Sequence, residues 1–533
     1  MTHPTIRQNS ENTRVTKAAG TIGSATLISR IFGYVRDMVF AYFFGTGLIS
    51  DAFIAAFRIP NLLRRLFGEG SLSIAFIPVF TEYLLRSGKP EAFKLAGAAI
   101  RLLSVILVFI VIAGVLASPF IVHLIAPGFG QRPDQLNLTI LLTRIMFPYI
   151  FFISLVALCM GILNSLGHFA GPAIAPVLLN LAMIGAMFAG WAFTDSQISR
   201  VVWLSIGVLV GGVLQLALQF WVVIRYKIEF WRHTSLFHRG LKRVGVLMVP
   251  ATFGAAVYQI NILVGTLLAS LLPAGSISFL FYADRLVQFP LGVFGIALAT
   301  AVLPSLSRQA AAQNYKSMKE TFAHGLRLVC FITIPAMIGL IVLREPIVAV
   351  LFNRGAFDDS STRLTATALL YYALGLWAFS AVRIVVSTFY ALQDTKTPVR
   401  IAVISLVANV ILSIILMRPL LHGGLALATT LSSILNLGLL LYMLRRKMGQ
   451  MGWRAIIASL LKTLLSASAM GVMVYLIVRL IFPDGFHDRL RLMIGLPVCI
   501  LSGMAGYAFI CYLMRSPELK TVMALTRRGS KTP

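Results

Sequence analysis

Fourteen times along this chain a stretch of about twenty or more residues passes with few charges or none, and that rhythm limits what the chain can become. Inside a bilayer every backbone N–H and C=O needs a partner within the protein, so such a stretch is read as a helix crossing about 30 Å of hydrocarbon. The stretches fall near 22–45, 50–82, 97–124, 138–163, 171–194, 201–224, 243–272, 276–306, 322–343, 366–391, 398–417, 423–444, 458–482 and 490–514. The expected fold class is an all-α integral membrane protein of about fourteen transmembrane helices. Composition agrees: 58% of residues are hydrophobic and 12% charged, with a mean hydropathy of +0.87, where soluble domains are about a quarter charged.

The formal net charge of +28 would suggest nucleic-acid binding in a soluble chain. Here it follows from loops. With the N-terminus in the cytoplasm, the inner connections hold Arg86, Lys89 and Lys94, then Arg225 through Arg243, then Arg308, Lys316 and Lys319, then Lys396 and Arg400, then Arg445, Arg446, Lys447 and Arg454. The outer connections are poorer in basic residues, which places both termini inside. No nucleic-acid partner is expected. The polar start, Met1 to Thr21, runs into a full-length span rather than a short cleavable apolar core, so it reads as a cytoplasmic tail and not a signal peptide. Cys159, Cys330, Cys499 and Cys511 sit singly in apolar runs, and the eight histidines form no ligand spacing, so no metal site is expected. No GxxxxGK[ST] sequence occurs, which argues against an intrinsic ATPase.

Two pairs of prolines hint at duplication. Pro78 closes span two and Pro304 closes span eight; Pro172 opens span five and Pro398 opens span eleven; both pairs are 226 residues apart. The expected organisation is a tail at 1–21, a six-helix lobe at 22–225, a basic linker at 226–242, a second six-helix lobe at 243–445, a helix pair at 446–514 and a tail at 515–533. The two lobes would form a parallel pseudo-two-fold repeat, the arrangement in which transporters place a substrate site between halves.

Charges within spans cost about 2.5–3.5 kcal/mol each on insertion scales and so mark function. Span one carries Arg30, Arg36 and Asp37, with Arg30 and Asp37 two turns apart on one face. Span two carries Arg58, Asn61, Arg64, Arg65 and Glu69; Asn61, Arg65 and Glu69 follow one another at i,i+4. Span eight adds Ser278, Asp284 and Arg285. Six arginines face three acids. Internal salt bridges can absorb half of the arginines, and Arg58 is also able to snorkel to the inner surface. The remainder points to a water-filled cavity lined with guanidinium groups, whose planar forks suit phosphate. Arg144 and Arg383, in spans four and ten, can equally line such a cavity or bridge helices. Asp51 stands at the outer end of span two, as a helix cap or a gate.

These same stretches carry a resemblance. "SRIFGYVRD" (29–37), "DAFIAAFRIPNLLRRLFGEGSLSIAFIPVFTEY" (51–83), "FYADRLVQFPLGVFGIALAT" (281–300) and "QDTKTPVRIA" (393–402) closely resemble the MurJ/MviN family, within the multidrug/oligosaccharidyl-lipid/polysaccharide exporter superfamily. The similarity runs from about Thr21 to Arg515. It implies two six-helix lobes, a C-terminal pair and a V-shaped cavity. It implies lipid II, a disaccharide-pentapeptide on undecaprenyl pyrophosphate, flipped to the outer leaflet of a bacterial inner membrane for peptidoglycan synthesis. The substrate-binding residues it implies are Ser29, Arg30, Arg36, Asn61, Arg64, Arg65, Glu69, Ser278 and Arg285, with Asp51 at the outer gate; Asp37 and Asp284 are expected in gate or structural ion pairs. The C-terminal pair would hold the prenyl tail. Some members couple to sodium through carboxylates on spans seven and eleven; here Gln259, Asn261 and Asn409 occur and no acid does, which leaves the membrane potential or protons to bias the cycle, with no cofactor. Function as a monomer is expected, with membrane lipids around it and cell-wall synthesis machinery as a possible contact.

The alternative within the superfamily is another lipid-linked oligosaccharide flippase or exporter. A drug exporter would favour acids for cationic drugs. A membrane transferase would need paired carboxylates at the cytoplasmic face for Mg²⁺, and the nearest pair, Asp358–Asp359, falls on the outer side. No covalent chemistry is expected, so the chain reads as a transporter and not an enzyme.

Overall fold

A computed structural model describes residues 4–64, 72–226, 237–483, 485–486 and 488–521, and among these every regular element is helical. The chain divides into two compact units, Met1–Ala274 and Gly275–Pro533. The first holds α1 (Pro4–Phe44), α2 (Leu48–Leu63), α3 (Leu72–Arg86), α4 (Gly88–Leu116), α5 (Ser118–Ile125), α6 (Pro133–Met146), α7 (Tyr149–Ser165), α8 (Ala170–Phe193), α9 (Gln197–Arg225) and α10 (Arg239–Ser270). The second holds α11 (Ser276–Pro290), α12 (Ala297–Ala311), α13 (Tyr315–Val342), α14 (Arg344–Phe352), α15 (Asp359–Ala373), α16 (Leu376–Ala391), α17 (Lys396–Met448), α18 (Trp453–Ile481) and α19 (Arg489–Leu513).

Ten helical stretches among the described residues are long and apolar enough to cross a membrane. The longest, α17, has 53 residues and is a hairpin in disguise: Leu421 is non-helical, at φ 50 and ψ −131. In a straight helix residues 416 and 424 lie about 12 Å apart. Here a Cβ on Gly424 would come within 2.1 Å of the Leu416 carbonyl oxygen, so the chain doubles back and only glycine fits. Outside those ten lie α1 and α2, which carry Arg30, Arg36, Asp37 and Arg58, and α10, which carries Gln259 and Asn261. Several expected single spans are broken: Pro148 separates α6 from α7, and Gly375 separates α15 from α16.

The duplication hinted at by two proline pairs extends to element boundaries. α5 and α14 begin at Ser118 and Arg344, α6 and α15 at Pro133 and Asp359, α8 and α17 at Ala170 and Lys396, and each pair is 226 residues apart. α1 and α10 end at Phe44 and Ser270, the same interval. By sequence α10 therefore opens the second repeat, yet it packs in the first unit, chiefly on α3. Three polar contacts hold it there. The Gly128 N–H donates to Ser270 Oγ at 3.2 Å. Arg58 donates to Thr266 Oγ1 and to the Ile262 carbonyl. Arg243 Nη1 donates to Glu82 at 2.7 Å.

Lipid supplies no hydrophobic drive between helices, so close approach and shape decide the packing. α9 presents Gly207, Gly211 and Gly212 to α7 and α8; a Cβ on Gly207 would sit 2.4 Å from the Ala186 Cβ. Behind them the first unit's core gathers Phe76, Phe80, Leu95, Cys159 and Ile162. The second unit's core gathers Phe322, Val329, Ile384, Phe389 and Leu440. Outward faces carry Phe109, Leu480 and Phe509, each more than half exposed, which suits hydrocarbon and not water.

Candidate functional site

In the first unit, α1 delivers Ser29, Arg30, Arg36 and Asp37. Arg36 is held tightly. Its Nε and Nη2 donate to Asp37 Oδ1 at 3.0 and 2.6 Å, and its Nη1 donates to Asn180 Oδ1 at 3.0 Å. Both charged side chains are nearly removed from solvent, at 11% and 5% exposure. Asn180 comes from α8, and its Nδ2 donates to the Ser29 carbonyl at 3.3 Å. One amide thus joins both ends of the "SRIFGYVRD" segment to α8. The sequence pattern placed Arg30 and Asp37 on one face; Asp37 takes the adjacent Arg36 instead. Arg30 is exposed and makes no hydrogen bond or ion pair with the described residues.

On α2, Asp51 occupies the first turn and is 2% exposed, where the helix dipole favours a carboxylate. The Asp51 N–H closes the turn onto the Gly47 carbonyl at 2.9 Å. Arg58 reaches α10 and is a link between helices. Arg64 Nε donates to Asn61 Oδ1 at 3.0 Å across one turn, just past Pro60. Arg65 and Glu69 lie outside the described residues.

In the second unit, α11 carries Ser278, which is fully buried, with Asp284 and Arg285 half-buried. Gln288 Nε2 donates to Asp284 Oδ2, and the Arg285 guanidinium lies 5.0 Å from the centre of the Phe281 ring. Past Pro290, which has no N–H to give, residues Leu291–Ile296 wind as a π-helix before α12 resumes. Such wide turns recur at functional sites. Arg144 and Arg383 are exposed on α6 and α16.

Three amides that the sequence reading does not single out are also engaged or buried here. Asn180, Gln215 and Gln219 are buried in apolar helices. Gln215 Nε2 donates to the Ala175 carbonyl at 2.9 Å, again pinning α8, this time to α9. The signal was present: an amide in a membrane span carries the same desolvation argument as a charge, scaled down. Thr266 gave no such signal. Among the described residues no three His, Cys, Asp or Glu side chains gather as a metal site would need. Gln259 and Asn409 are buried in α10 and α17.

The arrangement concentrates guanidinium groups on α1 and α2, with one arginine neutralised and oriented, one linking helices, and one exposed. Comparison with known proteins bears on the chain as a whole. The family described as "Lipid II flippase MurJ" matches residues 40–490. A probable lipid II flippase MurJ of Vibrio cholerae serotype O1 is 40% identical over 434 residues, covering 80% of this chain and 82% of that one. The corresponding protein of Rhizobium tropici is 37% identical over 517 residues, 96% of this chain and 97% of that one. Among solved structures, a lipid II flippase MurJ in an inward closed conformation aligns with a TM-score of 0.77 at 29% identity, covering 92% of this chain and 99% of that one. An inward-facing multidrug MATE transporter of the MOP superfamily aligns at 0.66 with 15% identity, covering 81% of this chain and 98% of that one, a likeness of fold alone.

Proposed function

The chain belongs to the lipid II flippase MurJ family, and from that premise we propose that it carries lipid II from the cytoplasmic to the outer leaflet of a bacterial inner membrane by alternating access. It is a multi-pass membrane protein of a transporter family.

The observation that carries the reading is the surplus of arginine in the membrane-spanning part of the first repeat. Arg36 has Asp37, and Arg58 has Thr266 and a backbone carbonyl, while Arg30 stands exposed. A guanidinium left exposed on a membrane helix requires water or an anion, and the pyrophosphate of lipid II supplies the anion. Ser29, Asn61, Arg64, Arg65, Glu69, Ser278 and Arg285 complete the proposed headgroup site, with Asp51 as the outer gate and Asp284 in a structural pair. The polar head moves through the wet path while the prenyl tail stays in lipid along α18 and α19. The lobes rock about the site, the usual motion of such repeats. The membrane potential or protons bias the cycle, both termini face the cytoplasm, and one copy suffices, working beside the peptidoglycan synthesis machinery. No bond is made or broken.

Depletion in cells, followed by measuring on which leaflet lipid II accumulates, tests this directly. Build-up on the cytoplasmic side is expected; build-up on the outer side would sink it. Reconstituted protein that moves another lipid-linked oligosaccharide and not lipid II would favour the sister reading within the superfamily.

A further inference from the structure

Beyond α19 the chain makes a sharp reversal. The Ser516 N–H bonds the Cys511 carbonyl at 3.0 Å and the Arg515 N–H bonds the Tyr512 carbonyl at 3.0 Å, with Arg515 left-handed at φ 50. This is the double bond pattern that ends a helix and turns the chain aside, built here on an arginine where glycine is usual. The turn delivers residues 517–521 as a short helical segment carrying Glu518, which is 3% exposed. A buried carboxylate on a terminal tail is costly unless its oxygens are taken up. They are: Ser459 Oγ of α18 donates to Oε1 at 2.8 Å, Ser516 Oγ donates to Oε2 at 2.8 Å, and Arg327 Nη1 of α13 lies 3.8 Å from Oε1. Two further contacts tie the same end of α18 to the turn: Lys462 Nζ donates to the Met514 carbonyl at 3.4 Å, and Ser466 Oγ donates to Met514 Sδ at 3.1 Å. Farther along, Tyr507 Oη of α19 donates to the Phe331 carbonyl of α13 at 2.8 Å. One carboxylate therefore joins the tail, α18 and α13 at a single point.

We propose that Glu518 is a positioning residue: it pins the C-terminal helix pair to α13, and through that contact sets the pair's hold on the substrate's prenyl tail. The second half of the statement rests on the flippase reading; the first half does not. With Glu518 replaced by glutamine, Arg327 loses its ionic partner and one of the two serine hydroxyls loses its acceptor oxygen, the tail lifts away, and the start of α18 is free to move off α13.

The test uses the full chain in lipid vesicles. A spin label at K520C reports the tail, and E518Q turns it from slow to fast motion. In the same preparation E518Q slows the transport of full-length lipid II about tenfold relative to an analogue with a short prenyl chain. Joining S459C to E518C with a short bifunctional thiol reagent restores the long-chain rate, because the link replaces the contact and not the charge. A label that stays slow in E518Q overturns the proposal, as does equal loss on both chain lengths or a cross-link that restores nothing. If the unaltered protein moves neither lipid, the flippase reading falls with its dependent half, while the label still decides whether Glu518 holds the tail.

Discussion

Arg58 in α2 and Asp284 in α11 stand 226 residues apart, at matching points of the two repeats, and carry opposite charges. The pattern continues. The positions equivalent to Arg30, Arg36, Asn61 and Arg64 in the second repeat are Ala256, Ile262, Val287 and Pro290. Helix boundaries have been kept almost residue for residue while most of the intramembrane arginine has collected in the first copy. The backbone plan needs only apolar length and breaks at fixed places, so both copies satisfy it. The proposed anion site needs charge, and supplying it in both copies would double the insertion cost. A second contrast concerns the helix that opens each repeat. α1 packs on α8 of its own repeat, whereas α10 packs on α3 of the other.

The sharpest break of this comparison is charge relocation. Arg30→Gln or Arg64→Gln should reduce lipid II transport by up to about a hundredfold, the scale of a lost charge-assisted contact, with membrane insertion unchanged. Adding A256R or P290R at the equivalent position should not rescue either; a transport assay in which it does would show the copies to be interchangeable. Next comes the connection between the last two helices of each repeat. The first copy links α8 to α9 through residues 194–196, while the second turns at Leu421 and needs Gly424. G424A should lower stability by about 2 kcal/mol from forced overpacking, and alanine at the matching Ile198 should be tolerated, as thermal unfolding in detergent will report. Third, N180L should leave the fold intact and slow transport about tenfold by loosening Arg36 and the Ser29 backbone together. N180Q, which keeps both hydrogen-bonding functions, should retain more activity than N180L.

The smallest effect concerns another matched pair, His168 and Asp394, again 226 apart, which accept from the third N–H onward at the starts of α8 and α17. Burial pushes the Asp394 carboxyl up, but hydrogen bonds from Lys447 and Thr397 outweigh it and hold the group at about 2. A folded pKa below the unfolded value means that the stabilisation is full above about pH 4 and is lost as pH falls through about 2. D394N should therefore cost about 1 kcal/mol, the worth of a good helix cap, at any pH from 5 to 8, the gap closing only in strong acid. A gap that instead changes across neutral pH would assign the effect to another group.

Most of the helices were legible because long apolar runs admit one solution in lipid. Their interruptions were less so: Pro148 and Gly375 interrupt runs that read as continuous, since an apolar turn residue leaves the hydrophobic pattern intact. For the proposed site, charges together with Ser29, Asn61 and Ser278 direct attention to α1, α2 and α11. The pattern did not reveal which charges were already engaged. Arg36 has its partner one residue away and a second on α8, and periodicity cannot see a contact across 144 residues of chain. The packing of α10 in the first unit was equally hidden, because its ties run through Thr266, Ser270 and backbone carbonyls, groups that every membrane helix contains.

The π-helical stretch Leu291–Ile296 has a geometric meaning of its own. A wide turn holds one residue more than ordinary winding, and one residue corresponds to a rotation of about 100°. Leu291–Ile296 thus acts as a phase shifter in an otherwise continuous rod, setting the compass bearing of every side chain from Ala297 to Ala311 independently of the bearing of Ser278 and Arg285. Tightening that one turn would swivel the far half of the rod without moving its near half.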